Sequence, residues 1–112
     1  MSSEIDAKIR RMMTDMPAAF KPEKAEGVDA SIRYNLTGEG GSLWTSRLSA
    51  AGCTVVEGDD DIETPSLTVT MDASDYIDMM AGRLDAMQAF MLGKIKVQGD
   101  IMLATRMMSF FR

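Results

Sequence analysis

Residues 91–100 read MLGKIKVQGD, a short run that is sharply bounded at both ends. Ile95 and Val97 alternate with polar residues, the pattern of a strand that turns one face toward a core and the other toward water. Gly93 is typical of the residue that ends a helix, and Asp100 is typical of the residue that caps the next one. The stretch therefore predicts a small strand that holds two helices on the same side of a sheet.

Four further strands are predicted upstream of this unit. Residues 28–37 alternate apolar and polar side chains without interruption, which is the clearest strand signal in the chain. Weaker signals of the same kind cover residues 42–50, 53–57 and 66–71, with glycine-rich turns between the first three strands. Strands that come mostly in one run, with helices gathered after them, indicate the α+β class. We therefore expect a five-stranded, mostly antiparallel sheet with helices packed on one face.

Four helices are predicted around these strands. Apolar residues recur with helical spacing over 3–16, and Pro17 is expected to end that helix. Helices are also expected over 73–81, over 86–92 and from 101 to the end of the chain. The residues predicted to cap the last three are Asp72, Asp85 and Asp100.

Length and charge limit the classes of function. The chain has 112 residues, which fits one domain over 1–112. It has 12 basic and 17 acidic residues, a net charge of −5, and this balance argues against nucleic acid as a partner. No segment resembles a signal peptide or reaches the length of a transmembrane helix, so we expect a cytoplasmic protein whose membrane contacts are at most transient.

The residues that support catalysis are scarce. The chain has no histidine, which excludes Ser-His-Asp and Cys-His sets and the commonest metal ligand. The single cysteine, Cys53, lies in a strand pattern and is expected to act as a small buried hydrophobe. The residues of a predicted acidic loop are expected to be solvated rather than to bind calcium. They are Glu57, Asp59, Asp60, Asp61 and Glu63. We expect no enzyme activity, no cofactor and no metal.

The last predicted helix is apolar over most of its circumference. Residues 101–112 read IMLATRMMSFFR, and a helix of this sequence carries two apolar stripes. One stripe is Ile101, Ala104, Met108 and Phe111; the other is Leu103, Met107 and Phe110, with Met102 beside them. Such a helix is either deeply buried in the core, part of a dimer interface, or one wall of an internal cavity.

Methionine favours the cavity among these alternatives. Seven of the 12 methionines lie within residues 79–108. Methionine side chains repack at little cost and suit a surface that receives ligands of variable shape. A dry, methionine-rich core is the alternative that remains open.

Two stretches resemble a known family. Residues 27–48, GVDASIRYNLTGEGGSLWTSRL, and residues 66–107, SLTVTMDASDYIDMMAGRLDAMQAFMLGKIKVQGDIMLATRM, are similar to the sterol carrier protein 2 (SCP2) domain family. The most specific part of the resemblance runs over residues 82–100. The similarity extends over about residues 17–111 and indicates a stand-alone SCP2-like domain.

The resemblance implies a function that involves no chemistry. It implies an apolar tunnel between sheet and helices that sequesters a lipid such as a fatty acid, acyl-CoA, sterol or isoprenoid, with the first stripe of the last helix closing the tunnel. The alternative is a protein-interaction or dimerisation module that uses the apolar last helix and takes no ligand. A monomer and a homodimer are both compatible with the sequence. An enzyme that uses acidic residues and Tyr34 or Tyr76 on a lipid-like substrate is a further alternative.

Twelve residues are predicted to line the tunnel, and three cations are candidates to meet a ligand carboxylate at its mouth. The predicted ligand-binding residues are Ile32, Tyr34, Trp44, Met71, Tyr76, Met80, Phe90, Met91, Ile101, Leu103, Met107 and Phe110. The candidate cations are Arg33, Arg47 and Arg83.

Overall fold

A computed structural model describes residues 4–58 and 64–111 of the chain. Its centre is a five-stranded sheet in the order β3-β2-β1-β4-β5. The strands are β1 (Ala30–Thr37), β2 (Ser42–Ser49), β3 (Gly52–Glu57), β4 (Leu67–Asp72) and β5 (Ile95–Gly99).

The pairing of the strands confirms the predicted sheet. Consecutive antiparallel pairs join β1 to β2 and β2 to β3, as short turns between adjacent strands require. The fourth strand pairs with β1 in parallel, and β5 pairs antiparallel with β4 at the edge of the sheet. Three of the four pairs are thus antiparallel, and the central β1–β4 pair makes the sheet a mixed one.

Strand register collects the apolar side chains on one face. Tyr34 of β1 lies opposite Trp44 of β2 and Val69 of β4, and Val69 lies opposite Val97 of β5. Paired residues share a face of a sheet, so these four side chains form one row across it. The opposite face carries polar residues. Lys96 pairs there with Thr70, and Gln98 pairs with Thr68.

In the described part of the chain, four α-helices accompany the sheet. They are α1 (Glu4–Ala19), α2 (Ala73–Met80), α3 (Ala86–Met91) and α4 (Ile101–Arg106). Short 3-10 helices cover Pro22–Lys24 and Met107–Phe111. Within the described residues, no helix is long and apolar enough to span a bilayer.

Three aspartates cap these helices as predicted. The side chain of Asp72 accepts a hydrogen bond from the Ser74 amide at 2.9 Å, which satisfies one of the free amides at the start of α2. Asp85 accepts one from the Gln88 amide at 3.0 Å. Asp100 caps α4 in the same way through the Leu103 amide, at 3.1 Å.

The first helix does not end at Pro17, contrary to the prediction. It continues to Ala19, with Pro17 inside it. The proline ring removes one backbone hydrogen bond, but the last turn is kept because the Phe20 amide donates to the Met16 carbonyl at 3.1 Å. Met16 and Phe20 are both buried, each 6% exposed. Their burial outweighs the lost hydrogen bond.

The end of the chain also differs from the prediction of one continuous α-helix. The α-helical part stops at Arg106, and a 3-10 helix follows. This tightening brings Phe110 edge-on to Phe20 with ring centroids 6.2 Å apart, and the Phe110 carbonyl accepts a hydrogen bond from the Lys21 amide at 2.7 Å. The fully buried Phe110 anchors the end of the chain to the region after α1. The side chains of Met108 and Phe111, from the first predicted stripe, lie outside what the structure describes.

The unit built on MLGKIKVQGD is arranged as predicted. Ile95 is buried and Val97 half-buried on the helix side, whereas Lys94 and Lys96 are exposed. Gly99 has a φ of +106°, and a side chain there would collide with the Ser66 carbonyl oxygen. The short strand therefore fixes α3 and α4 on the same side of the sheet.

Candidate functional site

A cavity lies between the sheet and the helices α2, α3 and α4. Its volume is about 470 Å³, within the range of roughly 300–1,000 Å³ that small-molecule sites occupy. The side chains of this row on β1, β4 and β5 form its floor, together with Ile95 of β5, which pairs with Met71 in the next row. The floor residues are Tyr34, Val69, Ile95 and Val97.

Helical spacing supplies the walls. Residues three and four positions apart lie on one face of a helix, and each of the three helices turns such a set toward the cavity. The wall residues are Tyr76, Met79 and Met80 of α2; Asp85, Ala86, Met87 and Phe90 at α3; Ile101, Ala104 and Thr105 of α4; Met107 after α4; and Met16 of α1.

The two polar wall residues other than tyrosine are bonded to the backbone. Asp85 accepts the capping bond from the Gln88 amide. Thr105 donates its hydroxyl to the Met102 carbonyl at 2.8 Å. The described lining is otherwise carried by apolar side chains and two tyrosine rings. A molecule in this cavity would therefore exchange water for an almost wholly apolar surface.

Two tyrosines form the inner end of the cavity. The rings of Tyr34 and Tyr76 meet edge to face with centroids 6.1 Å apart. The Tyr34 hydroxyl accepts a hydrogen bond from the buried Ser46 hydroxyl at 3.3 Å and lies 3.9 Å from the Met16 sulfur. Burial is the main reason that the pKa of each tyrosine is raised well above its ordinary value. Both rings are therefore neutral at physiological pH.

The cavity opens to water between α3 and the start of α4. Three lining residues at this mouth are large apolar side chains with high exposure: Met87 at 61%, Phe90 at 48% and Ile101 at 52%. The mouth is adjacent to β5, the edge strand of the sheet. A ligand could enter there without crossing the buried side of the protein.

Six of the twelve predicted residues line this cavity, and six lie elsewhere in the described chain. Those in the lining are Tyr34, Tyr76, Met80, Phe90, Ile101 and Met107. Ile32, Met71, Leu103 and Phe110 are buried in the core. Trp44 lies under α1, where the Arg10 guanidinium is 5.7 Å from its ring. Met91 is 78% exposed on the outer side of α3.

Sequence reasoning did not include several lining residues. Ile95 and Val97 were predicted to face the helices, but only the register places Val97 in one row with Val69 and Tyr34, and Ile95 beside Met71 in the next row. Ala104 was in the stripe that the resemblance assigns to the tunnel. Thr105 is polar, and its hydrogen bond to its own helix explains how it lines an apolar wall.

The three candidate cations lie apart from the inner cavity. Arg83 pairs with Asp78 just after α2, at 3.0 Å. Arg33 and Arg47 alternate with the inward-facing Tyr34 and Ser46, so they lie on the sheet face opposite the helices.

Within residues 4–58 and 64–111, no group of three or more histidine, cysteine, aspartate or glutamate side chains could hold a metal ion. Four residues of the predicted acidic loop, Asp59, Asp60, Asp61 and Glu63, lie outside the described residues.

Comparisons with known proteins agree with this architecture. The sequence matches the SCP-2 sterol transfer family over residues 11–112. It is 31% identical over 89 residues to non-specific lipid-transfer protein-like 1 of Caenorhabditis elegans, an alignment that covers 80% of this chain and 75% of the relative. The solution structure of palmitated SCP2L2 from Aedes aegypti superposes with a TM-score of 0.70 at 26% identity, covering 96% of this chain and 91% of the other.

Longer proteins contain a similar segment. Hydroxysteroid dehydrogenase-like protein 2 of Mus musculus is 31% identical over 89 residues, which is 80% of this chain and 18% of the relative. The chain thus spans about a fifth of the length of such relatives.

Proposed function

The chain belongs to the SCP-2 sterol transfer family, and on this premise we propose that it carries one long-chain lipid in the apolar cavity between sheet and helices. The observation that carries the proposal is the lining itself. Among the described lining residues, Asp85 and Thr105 are bonded to the backbone and the Tyr34 hydroxyl to Ser46, and most of the remaining surface is apolar. Binding is then driven by removal of hydrocarbon from water.

The cavity lining favours a flexible acyl chain as the ligand. The volume of about 470 Å³ is that of a small-molecule site, and the methionine side chains in its wall can repack around a flexible chain. The palmitated Aedes aegypti relative supports an acyl chain as the ligand.

The energy of transfer is sufficient for tight binding. Each methylene that leaves water contributes roughly 0.8 kcal/mol, so a chain of on the order of 15 carbons gains roughly 12 kcal/mol. Loss of translational and rotational freedom offsets part of this gain. We expect dissociation constants in the micromolar range or below, with affinity rising with chain length.

The polar head group is proposed to remain at the mouth. The inner end of the cavity is closed by Tyr34 and Tyr76, whose rings are neutral and deeply buried. A carboxylate placed there would lose its hydration without meeting a cation. The exposed edge beside Met87 and Phe90 keeps the head group in water while the chain is buried.

We propose binding rather than catalysis for this domain. Burial raises the pKa of both tyrosines, so neither is suited to act as a base at neutral pH. Asp85, the acid in the described lining, is held by the capping bond to Gln88. Whatever activity a longer protein has would then come from other parts of it.

The test is a pair of tryptophan variants on the same helical segment. Met107 lines the cavity, and Met102 lies nearby on the outside, 72% exposed. We expect Met107→Trp to lower the affinity for hexadecanoic acid at least tenfold, since the larger ring fills the cavity, with a stability loss under about 3 kcal/mol. Met102→Trp should bind as the parent does. Calorimetric titration measures both.

Two results would contradict the proposal. One is equal binding by the parent and Met107→Trp. The other is the absence of any lipid-sized mass in native mass spectra after incubation with hexadecanoic acid, with a dimer as the main species. The second result would favour the alternative of a dimerisation module, for which the exposed apolar side chains of α3 and α4 are the observation in its support.

A further inference from the structure

The inner end of the cavity carries a buried hydroxyl that has no hydrogen-bond partner in the described chain. It belongs to Tyr76 of α2, which lines the cavity and is 3% exposed. Burial, and after it the nearby Tyr34 phenol, raises the pKa of Tyr76, and no hydrogen bond contributes. Among the described residues, the Tyr76 hydroxyl is not one of the unbonded polar atoms that are sealed from solvent. It therefore keeps contact with the cavity space.

The second tyrosine at this end differs in its bonding. The Tyr34 hydroxyl accepts a hydrogen bond from Ser46 at 3.3 Å and lies 3.9 Å from the Met16 sulfur. The two rings border the same cavity, with centroids 6.1 Å apart. Two buried phenols thus face one space, and the protein supplies a hydroxyl partner to Tyr34 but not, within the described residues, to Tyr76.

A buried hydroxyl normally has a partner, because without one it loses its hydration and gains nothing in return. Water can bond to Tyr76 while the cavity holds no ligand. A plain acyl chain that fills the inner end displaces this water and has no polar atom to replace it. The partner that suits Tyr76 in the loaded protein is therefore an atom of the ligand.

The surroundings of Tyr76 limit the chemistry of that ligand atom. The phenol is neutral at physiological pH, so its hydroxyl can donate a hydrogen bond to an oxygen. The described lining contains no lysine or arginine, and a carboxylate at the inner end would lose its hydration without meeting a cation. An uncharged oxygen, in a hydroxyl or a carbonyl group, meets both conditions.

From this unpartnered hydroxyl at the closed end of an apolar cavity we infer that Tyr76 selects acyl chains that carry an uncharged oxygen at the end remote from the carboxylate. The Tyr76 hydroxyl donates a hydrogen bond to that oxygen. The inference rests on the proposed function, because the far end of the chain reaches Tyr76 only if the carboxylate stays at the mouth. A site that bonds a ligand oxygen discriminates against the ligand that lacks it, since the buried donor is then left unpaired.

Calorimetric titration with two matched acids tests the inference. The probes are hexadecanoic acid and ω-hydroxyhexadecanoic acid, which carries a hydroxyl on its last carbon. In a purely apolar site this hydroxyl would weaken binding, because it would lose its hydration. We expect the parent protein to bind the ω-hydroxy acid at least as tightly as the plain acid. Shorter pairs of acids complete the series, since the chain must have the length that brings its last carbon to Tyr76.

The variant Tyr76→Phe should move the two affinities in opposite directions. The ω-hydroxy acid loses its partner and should bind roughly tenfold more weakly than to the parent. The plain acid should bind more tightly, because no tyrosine hydroxyl then has to give up water. A change in packing alone would shift both affinities the same way, so the opposite signs identify the hydrogen bond.

A ligand and a variant serve as matched controls. In α-hydroxyhexadecanoic acid the added hydroxyl lies beside the carboxylate and stays at the mouth, so Tyr76→Phe should affect this acid in the same direction as the plain acid. Tyr34→Phe removes a hydroxyl from the same end of the cavity, but one that is bonded to Ser46. It should change the affinities for the plain and the ω-hydroxy acid by a similar factor.

Stability without ligand is an independent measurement. Tyr34→Phe leaves Ser46 without its bond and should lower the midpoint of urea denaturation. Tyr76→Phe breaks no hydrogen bond within the described residues and should unfold at the same or a higher urea concentration than the parent. A loss of stability in Tyr76→Phe that equals the loss in Tyr34→Phe would show that the Tyr76 hydroxyl is already bonded in the protein, which would overturn the inference.

Two binding results would also overturn it. The ω-hydroxy acids could bind more weakly than the plain acids at every length, by the same factor in the parent and in Tyr76→Phe. Alternatively, Tyr34→Phe could abolish the preference while Tyr76→Phe retains it. In both cases hexadecanoic acid still binds, and the proposed function stands. Absence of binding by every acid would remove the proposed function and the inference together.

Discussion

Two methionine-rich parts of the molecule bury their side chains in opposite ways. On α1, Met13 is 0% and Met16 is 6% exposed. By contrast, Met91 at the end of α3 is 78% exposed and Met102 of α4 is 72% exposed. The residue type is the same, so composition does not explain the difference. The layer around each helix does. We refer to α1 with β2 and β3 as the closed side, and to α3, β5 and α4 as the open side.

Helix length accounts for much of the contrast. The first helix has 16 residues and lays a stripe of buried residues on the sheet. Its Arg10 contacts both carboxylate oxygens of Glu57 on β3 at 3.0 Å, which raises the pKa of the already basic guanidinium through hydrogen bonds to Glu57 and Asp6. The helices α3 and α4 have six residues each, too few to cover the rest of the sheet. The space they leave is the cavity.

The largest expected effect is the loss in the protein's free energy of unfolding when a methionine on the closed side is truncated. Met13→Ala removes a fully buried side chain and should cost about 2–5 kcal/mol, because a cavity is left in a packed core. Met91→Ala removes the same atoms from an exposed site and should change stability by less than about 0.5 kcal/mol. Urea denaturation measures both. Similar losses for the two variants would show that the open side is covered in solution.

Bound ligand should reduce the difference between the two sides by stabilising the open side. Hexadecanoic acid at about 100 times its dissociation constant is expected to stabilise the protein by about 2.7 kcal/mol. Hydrogen exchange should locate the effect: amides of α3 and α4 exchange faster than those of α1 without ligand and slow down when it binds. Protection that appears only in α1 would contradict the assignment of the cavity as the ligand site.

A smaller effect concerns Asp72, the N-cap residue between β4 and α2. Asp72→Ala should cost about 1 kcal/mol through loss of the N-cap of α2. The hydrogen bonds from Ser74 lower the pKa of Asp72, so the stabilisation is complete above the unfolded pKa of about 3.9 and is lost as pH falls through the lowered folded value.

Asp72→Asn separates the cap from the charge. Asparagine caps a helix about as well as aspartate, so this variant should keep most of the stability at neutral pH. It should show a weaker loss of stability than the parent between pH 4 and pH 2. Thermal unfolding across this pH range is the measurement, and identical pH profiles for parent and variant would contradict the role of Asp72.

The smallest effect leaves stability unchanged and concerns Cys53 on β3, the edge strand of the closed side. Burial raises the pKa of the Cys53 thiol on β3 to about 11. At pH 8 the thiol should therefore react with a disulfide reagent slower than a free thiol, by on the order of tenfold or more. Denatured protein should react at the ordinary rate. Fast reaction of the folded protein would show that the half-buried thiol is open to water.

The elements followed from local patterns, and their exceptions have local causes. Alternation identified most of the strands because strand faces are read with a period of two residues, and the turn at residues 51–52 placed the third. Asp72, Asp85 and Asp100 were recognised as caps because a short carboxylate satisfies free amides wherever a helix begins. Pro17 misled because its rule concerns backbone bonds alone, and burial of Met16 and Phe20 on either side outweighed the lost bond.

Only part of the cavity lining could be predicted from the sequence. Tyr34, Tyr76 and Met107 were predicted because they belong to apolar faces of elements that had to meet. Leu103 and Phe110 share the same faces by spacing but are packed in the core. The change from α-helix to 3-10 helix at Met107 turns Phe110 toward Phe20, and periodicity of a regular helix contains no information about that change.

The sequence by itself determined the strands, the caps, the mostly antiparallel sheet class and the side of β1 and β5 that faces the helices, since these follow from patterns over a few residues. The tertiary structure decided which apolar residues fill the core and which border empty space. That decision depends on how far six-residue helices reach across a sheet and on the parallel pairing of β1 with β4, which sets Tyr34 beside Val69. Burial is a property of the assembled layers, so methionines of one composition can be core residues on α1 and surface residues on α3.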